Sequence, residues 1–187
     1  LNTDFVGDTW LTVYREKRTA HLRLRLPEKK RSAYPVLFLF HGAGGSENMF
    51  FETYGAGKAV ELAAQRGWIA VAPRQGMLGG IGLNCGQILE ELRCYFPIDM
   101  KRVFFCGHSM GAMQATTQAV QDPDLPAAVV ALGGGGRLGS QELGSAPWFI
   151  AAGDRDFGKR GARKLANAIQ ARGRMVHWKE FPQTEHL

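Results

Sequence analysis

Apolar and polar positions along the chain fall into short segments of two kinds. Residues 9–14 and 20–26 read as two antiparallel strands, and the second (Ala20-His21-Leu22-Arg23-Leu24-Arg25-Leu26) alternates strictly, so one face is wet. After a charged turn from Pro27 to Pro35, Val36-Leu37-Phe38-Leu39-Phe40 is apolar throughout, the pattern of a strand buried on both faces of a parallel sheet. Ile69–Ala72, Val103–Cys106, Ala127–Leu132, Trp148–Ala152 and Val176–Phe181 are further strands of this sort.

Helical periodicity fills the intervals. Ala56, Ala59, Val60 and Ala63 share a face over residues 56–66, with Gly67 as the stop. Ile88, Leu92 and Tyr95 mark a second helix, with Asn84 and Gln87 spaced as a cap and Pro97 after it. A third helix runs from Met110 to Val120, and Ala162, Leu165, Ala166 and Ile169 mark a fourth. Strands alternating with helices after an antiparallel start predict an α/β fold with a mostly parallel, doubly wound sheet. Helices then cover both faces, and active sites of such sheets lie beyond the carboxyl ends of the strands.

Composition narrows the classes. With 187 residues, 45% hydrophobic content and 24 glycines, the chain reads as one loop-rich globular domain over 1–187. No apolar run approaches the ~20 residues of a membrane span. The chain starts at Leu1 without a methionine, which leaves export open and the compartment unknown. The net charge of +6 gathers at Glu28–Arg31 and along Lys159, Arg160, Arg163, Lys164, Arg172 and Arg174. The second group lies on the polar face of a helix and no aromatics are interleaved, so a solvated face is expected rather than a nucleic-acid partner. Cys85, Cys94 and Cys106 show no metal-ligand spacing, and no disulfide, metal or other cofactor is expected.

The chemistry centres on Gly107-His108-Ser109-Met110-Gly111, which follows the apolar run Val103–Cys106 and precedes a helix. This is a G-x-S-x-G nucleophile elbow, whose sharp turn exposes a serine Oγ and aims the next backbone N–H at a carbonyl oxygen. After the strand 36–40 comes His41-Gly42-Ala43-Gly44-Gly45, where Ala43 is the expected second oxyanion donor beside Met110. After the strand 148–152, Asp154 and Asp156 are both in reach of a histidine, and Asp156 is favoured because two more residues let the loop curl back. After the last strand, His186 is the expected base: His21 and His177 lie within strands, His41 leaves its strand too early, and His108 sits inside the elbow. The order Ser109, Asp156, His186 is nucleophile, acid, base. His41, Gly42, Gly44, His108, Arg74 and Gln75 are the expected substrate-lining residues, and Met77 and Leu83 shape the pocket from the loop 74–86. Arg74 has two readings, a site for a substrate carboxylate or a structural salt bridge.

At these residues the chain resembles the α/β-hydrolase superfamily, and His41–Gly45 with Gly107–Gly111 is similar to its small lidless serine esterases. These include polyhydroxybutyrate-depolymerase/feruloyl-esterase-like and dienelactone-hydrolase/prolyl-oligopeptidase-like groups. The resemblance runs from about residue 9 to the end, and Gly153-x-x-Asp156 looks like the family's acid loop. It implies an α/β-hydrolase fold, triad roles for Ser109, Asp156 and His186, and backbone donation from Ala43 and Met110.

Two departures stand out. The family usually has a further helix after the histidine, whereas here the sequence reaches Leu187 one residue later, so either a segment is missing or His186 is poorly held. The link from Leu132 to Trp148 is short and carries Gly133–Gly136, so no cap domain is expected there. The implied activity is hydrolysis of small or polymer-attached carboxylic esters. The alternatives are a thioester substrate, a serine peptidase of prolyl-oligopeptidase type, or a non-catalytic module that keeps the fold. Oligomeric state is left open.

Overall fold

The computed structural model describes residues 5–76 and 80–186, and Met77 and Leu187 lie outside the described residues. Its eight strands form a single sheet in the order β1-β2-β4-β3-β5-β6-β7-β8. The strands are β1 Gly7–Arg15, β2 Arg18–Leu26, β3 Tyr34–Phe40, β4 Ile69–Pro73, β5 Ile98–His108, β6 Ala128–Leu132, β7 Trp148–Gly153 and β8 Val176–Phe181. β1 pairs with β2 and β2 with β4 antiparallel, and every other pairing is parallel. The predicted sheet and its antiparallel start are therefore both present. Val36, Phe38, Leu39 and Phe40 are fully buried, as a continuous apolar strand between two parallel neighbours requires.

Four helices cover the sheet: α1 Lys58–Gln65, α2 Cys85–Leu92, α3 Met110–Gln121 and α4 Lys159–Ala171. Val60 and Ala63 of α1 pack with Leu39, Ala70 and Ala72 in one core cluster. The inner faces of α2, α3 and α4 pack with Phe38, Phe40, Phe105, Val129 and Ile150 in the other. The capping box of α2 forms as its spacing predicts: Asn84 Oδ1 accepts from the Gln87 amide at 2.8 Å and Gln87 Oε1 from the Asn84 amide at 3.1 Å.

Two boundaries differ from the sequence reading, each for a local reason. The first helix starts at Lys58 rather than near residue 56, because Gly55, Ala56 and Gly57 all have positive φ. That break separates α1 from a π-helical turn, Met49–Thr53, and a 3-10 turn, Tyr54–Gly57, which periodicity did not reveal. β5 is longer than predicted and runs on to His108, because Gly107 aligns with Phe40 of β3 and His108 with Leu132 of β6. Among the described residues, all three cysteines are free. Burial pushes the Cys85 thiol well up and that of Cys106 up to about 12, so neither ionises near neutral pH. No helix among the described residues is long and apolar enough to cross a membrane.

Candidate functional site

His41, Arg74, Ser109, Asp154, Asp156 and His186 all follow the carboxyl ends of β3, β4, β5, β7 and β8. Parallel pairing brings the ends of β3, β5, β6, β7 and β8 to one edge of the sheet. Ser109 alone makes the turn from β5 into α3, at φ 58° and ψ −117°. A side chain held there is strained by ~1–3 kcal/mol, and the surroundings must impose it. The Ser109 amide donates to the Leu132 carbonyl at 2.8 Å, and its own carbonyl accepts from the Ala112 amide at 3.0 Å. Flanking glycines are a steric necessity: a Cβ on Gly111 would lie 1.8 Å from the Phe40 carbonyl oxygen, and one on Gly107 2.0 Å from the Gly111 oxygen.

His186 bridges the other two predicted residues. Its Nε2 lies 2.8 Å from Ser109 Oγ and its Nδ1 2.7 Å from Asp156 Oδ1. The carboxylate accepts the Nδ1 proton, which leaves the Nε2 lone pair facing the serine hydroxyl. Asp156 is buried, and its Oδ1 also accepts from the Gly158 amide at 2.5 Å. Asp154, the alternative acid, does something else. Its Oδ1 accepts from the Thr184 amide at 3.2 Å, and its own amide donates to the Phe181 carbonyl at 2.9 Å. The Gln183 and Thr184 amides hold its carboxyl below the usual range, so Asp154 tethers the loop that carries His186.

The loop after β3 lies against the elbow: a Cβ on Gly42 would come within 3.3 Å of Ser109 Cβ. Met110 is the first residue of α3, so its N–H has no acceptor within the helix. His41 differs from its expected role as a substrate contact. It is buried, its Nδ1 donates to the Gly42 carbonyl at 2.8 Å, and its Nε2 accepts from the Gln75 amide at 3.1 Å. Gln75 Nε2 donates to the His41 carbonyl at 2.6 Å. The two residues thus hold each other beneath the loop instead of lining a substrate cleft. Burial lowers the pKa of His41, which keeps the ring neutral with its proton on Nδ1. Gly44, with φ 73°, would present a Cβ to open space. Arg74 is exposed and makes no ion pair among the described residues, so the salt-bridge reading has no support. Leu83 is buried in the main core cluster.

Several residues near the site carried no signal that periodicity or motif could detect. Tyr54 Oη accepts from the Gly42 amide at 3.2 Å and lies 3.3 Å from His108 Nδ1. The Phe157 ring sits over His186, centroids 3.9 Å apart, yet 82% of that residue is exposed. A depression of about 450 Å³ beside the histidine is lined by Phe50, Tyr54, His108, Asp156, Phe181 and His186, among others. Gly133–Gly136, read from the sequence as a short link, is packed into the site instead. A Cβ on Gly133 would meet Asp156 Oδ2 at 2.8 Å and one on Gly134 the Ser109 carbonyl at 2.4 Å. Position alone hinted at this, since the run directly follows a parallel strand.

No protein-family model matches the sequence, and no curated protein matches it by sequence. Solved structures do. A thermostable esterase superposes with a TM-score of 0.75 at 20% identity, covering 95% of this chain and 55% of the esterase, so this chain spans about half its length. The feruloyl esterase module of Clostridium thermocellum, solved with sinapinate, gives 0.75 at 18% identity over 96% of this chain and 81% of the module. An S-formylglutathione hydrolase from Agrobacterium tumefaciens gives 0.74 at 16% identity over 98% of this chain and 90% of that one. At such low identity the likeness is one of fold, and with the strand order and the elbow it establishes that this chain has the α/β-hydrolase fold.

Proposed function

We propose that this protein is a serine hydrolase that cleaves carboxylic esters through an acyl-enzyme. The observation that carries the reading is His186, within hydrogen-bond reach of both the strained Ser109 hydroxyl and the buried Asp156 carboxylate. Ser109 Oγ attacks the ester carbonyl as His186 Nε2 takes its proton, while Asp156 holds the imidazole and stabilises the imidazolium. The carbonyl oxygen becomes an oxyanion that accepts from the Ala43 and Met110 amides. Its collapse expels the alcohol, which takes the proton from His186. Water, deprotonated by the same nitrogen, then attacks the acyl-enzyme, and the acid is released as Ser109 Oγ leaves and takes that proton back from His186.

Oxyanion donation is supported by where the two amides lie. Ala43 follows Gly42, which is packed on Ser109, and Met110 opens α3. Removing one such donor typically lowers turnover ~10²–10³-fold. Phe157, exposed beside the base, offers an apolar edge for an acyl or alcohol group. Feruloyl esterase and S-formylglutathione hydrolase neighbours add hydroxycinnamoyl esters and thioesters to the substrates worth testing.

A fluorophosphonate probe is expected to label Ser109, and p-nitrophenyl acetate and butyrate to be hydrolysed by the protein and not by Ser109→Ala. A panel of acetyl, feruloyl and hydroxyalkanoyl esters, S-acyl glutathiones and short peptides then ranks the leaving groups. Peptides cleaved faster than every ester would move the protein to the peptidases. No labelling and no turnover would overturn the reading.

A further inference from the structure

His108 fills the variable position of the elbow motif, where the fold asks only that its backbone continue β5. Its side chain is nevertheless engaged at both ring nitrogens. Nε2 lies 2.7 Å from the backbone carbonyl oxygen of His186. A carbonyl only accepts, so Nε2 carries the proton and Nδ1 is left with a lone pair. Tyr54 Oη lies 3.3 Å from Nδ1 and itself accepts from the Gly42 amide at 3.2 Å. A single polarity satisfies every atom: Gly42 N–H to Tyr54 Oη, Tyr54 O–H to His108 Nδ1, and His108 Nε2–H to the His186 carbonyl.

We propose that His108 and Tyr54 are positioning residues: this hydrogen-bonded chain locks the backbone of His186 to the backbone of the loop that carries Ala43. The proposal rests on the hydrolase reading above, because the groups it aligns are the base and an oxyanion donor. Neither side chain touches Ser109 Oγ through a hydrogen bond; each acts on the main chain of a residue that does the chemistry.

Three further observations support it. The His108 ring is 4.7 Å from that of His186 and 5.0 Å, edge-on, from that of Tyr54, so it is packed as well as hydrogen-bonded. Gly133 packs closely against it: a Cβ there would lie 3.1 Å from Nε2 and 2.8 Å from Asp156 Oδ2, so a larger residue would push on both side chains. Tyr54 is in turn fixed by Phe50, edge-to-face at 4.8 Å. The groups facing His108 are thus Tyr54 from the 3-10 turn, His186 from the last loop and Asp156 from the loop after β7. Burial lowers the pKa of His108, which agrees with a neutral ring beside a base that must become an imidazolium. A loop held on one side by backbone alone would let the base wander, and a misplacement of about 1 Å can slow an enzyme ~10²-fold.

Steady-state kinetics on p-nitrophenyl butyrate test the chain. His108→Ala is expected to lower kcat ten- to hundredfold with KM within twofold, at a retained melting temperature. His108→Gln, which returns an N–H to the place of Nε2, is expected to recover kcat to within about fivefold of the parent. Tyr54→Phe is expected to lose less than His108→Ala, and the double variant to lose no more than His108→Ala alone. Unchanged kcat in His108→Ala, or a loss that Gln does not restore in a folded protein, overturns the proposal. If the parent hydrolyses no ester, that failure belongs to the hydrolase reading. Ring ¹⁵N spectra of histidine-labelled protein at neutral pH then decide separately: a neutral Nε2–H tautomer at His108 supports the chain, and an Nδ1–H tautomer or a doubly protonated ring overturns it.

Discussion

His41 never faces the cleft, yet the direction of an amide in the site depends on it. In a trans peptide the carbonyl and the following N–H point opposite ways. His41 Nδ1 and the Gly45 amide both donate to the Gly42 carbonyl, at 2.8 and 3.2 Å. They therefore turn the Ala43 N–H the other way and hold it there before any substrate arrives. His41→Phe keeps the ring volume and removes the donor, and is expected to lower kcat about ten- to hundredfold. His41→Asn, with an amide nitrogen near the place of Nδ1, is expected to lose less, which the same ester assay measures. The ring also links stability to pH. Burial lowers the pKa of both His41 and His108, while an unfolded chain takes up these protons near pH ~6.5. Below that pH the unfolded state binds more protons, so stability falls as pH drops from about 6.5 towards the lowered folded values. Denaturation midpoints measured between pH 8 and 5 should decline over this window. The sequence placed His41 and Gln75 correctly at strand ends but not their facing, because which loop residues turn towards each other depends on β3 and β4 being neighbours.

Among the elements, β2 shows where alternation was enough and where it fell short. Ala20, Leu22, Leu24 and Leu26 are buried as the pattern predicts. Arg23, on the face read as wet, is buried as well. Its guanidinium lies 4.7 Å from the Trp10 ring and 4.4 Å from that of Phe51. It donates to Asn48 Oδ1 at 2.8 Å and Glu52 Oε1 at 2.5 Å and pairs with Asp8 at 3.1 Å. These bonds clamp the turn 49–53 over the sheet, and that turn leads directly to Tyr54. A segment without periodicity leaves no trace in the hydrophobic pattern, so neither the turn nor what it covers was legible. Arg23→Met is expected to lower stability by about 1–3 kcal/mol, since hydrogen bonds to charged groups contribute on this scale. Urea denaturation reads that change, and a fall in kcat would show the clamp reaching the site through Tyr54.

At the scale of the molecule, the rule that sites gather at carboxyl strand ends put Ser109, Asp156 and His186, with Asp154 beside them, at one edge of the sheet, because it depends only on strand direction. Their spacing and which aspartate meets the ring were set by loop packing, including the glycines at 133–136, which sequence could only call a link. The three residues differ in how firmly they are held. Ser109 hangs between β5 and α3 near the middle of the sheet, whereas His186 follows β8, an edge strand paired on one side only and mostly exposed. Edge elements with little buried surface open first. Ester turnover is therefore expected to be lost at a lower urea concentration than far-UV circular dichroism, and Asp154→Ala should widen the gap by releasing the Thr184 amide. Coincident transitions would count against a separately opening β8.

The chain order gives that edge strand a further consequence. Ser109 precedes His186, its hydrogen-bond partner, by 77 residues. During synthesis the elbow and its strands emerge well before β8, so Ser109 is in place before His186 can reach it. Under the mechanism proposed above, Ser109 gains its proton acceptor only when β8 pairs with β7, so ester turnover is expected to appear with that pairing.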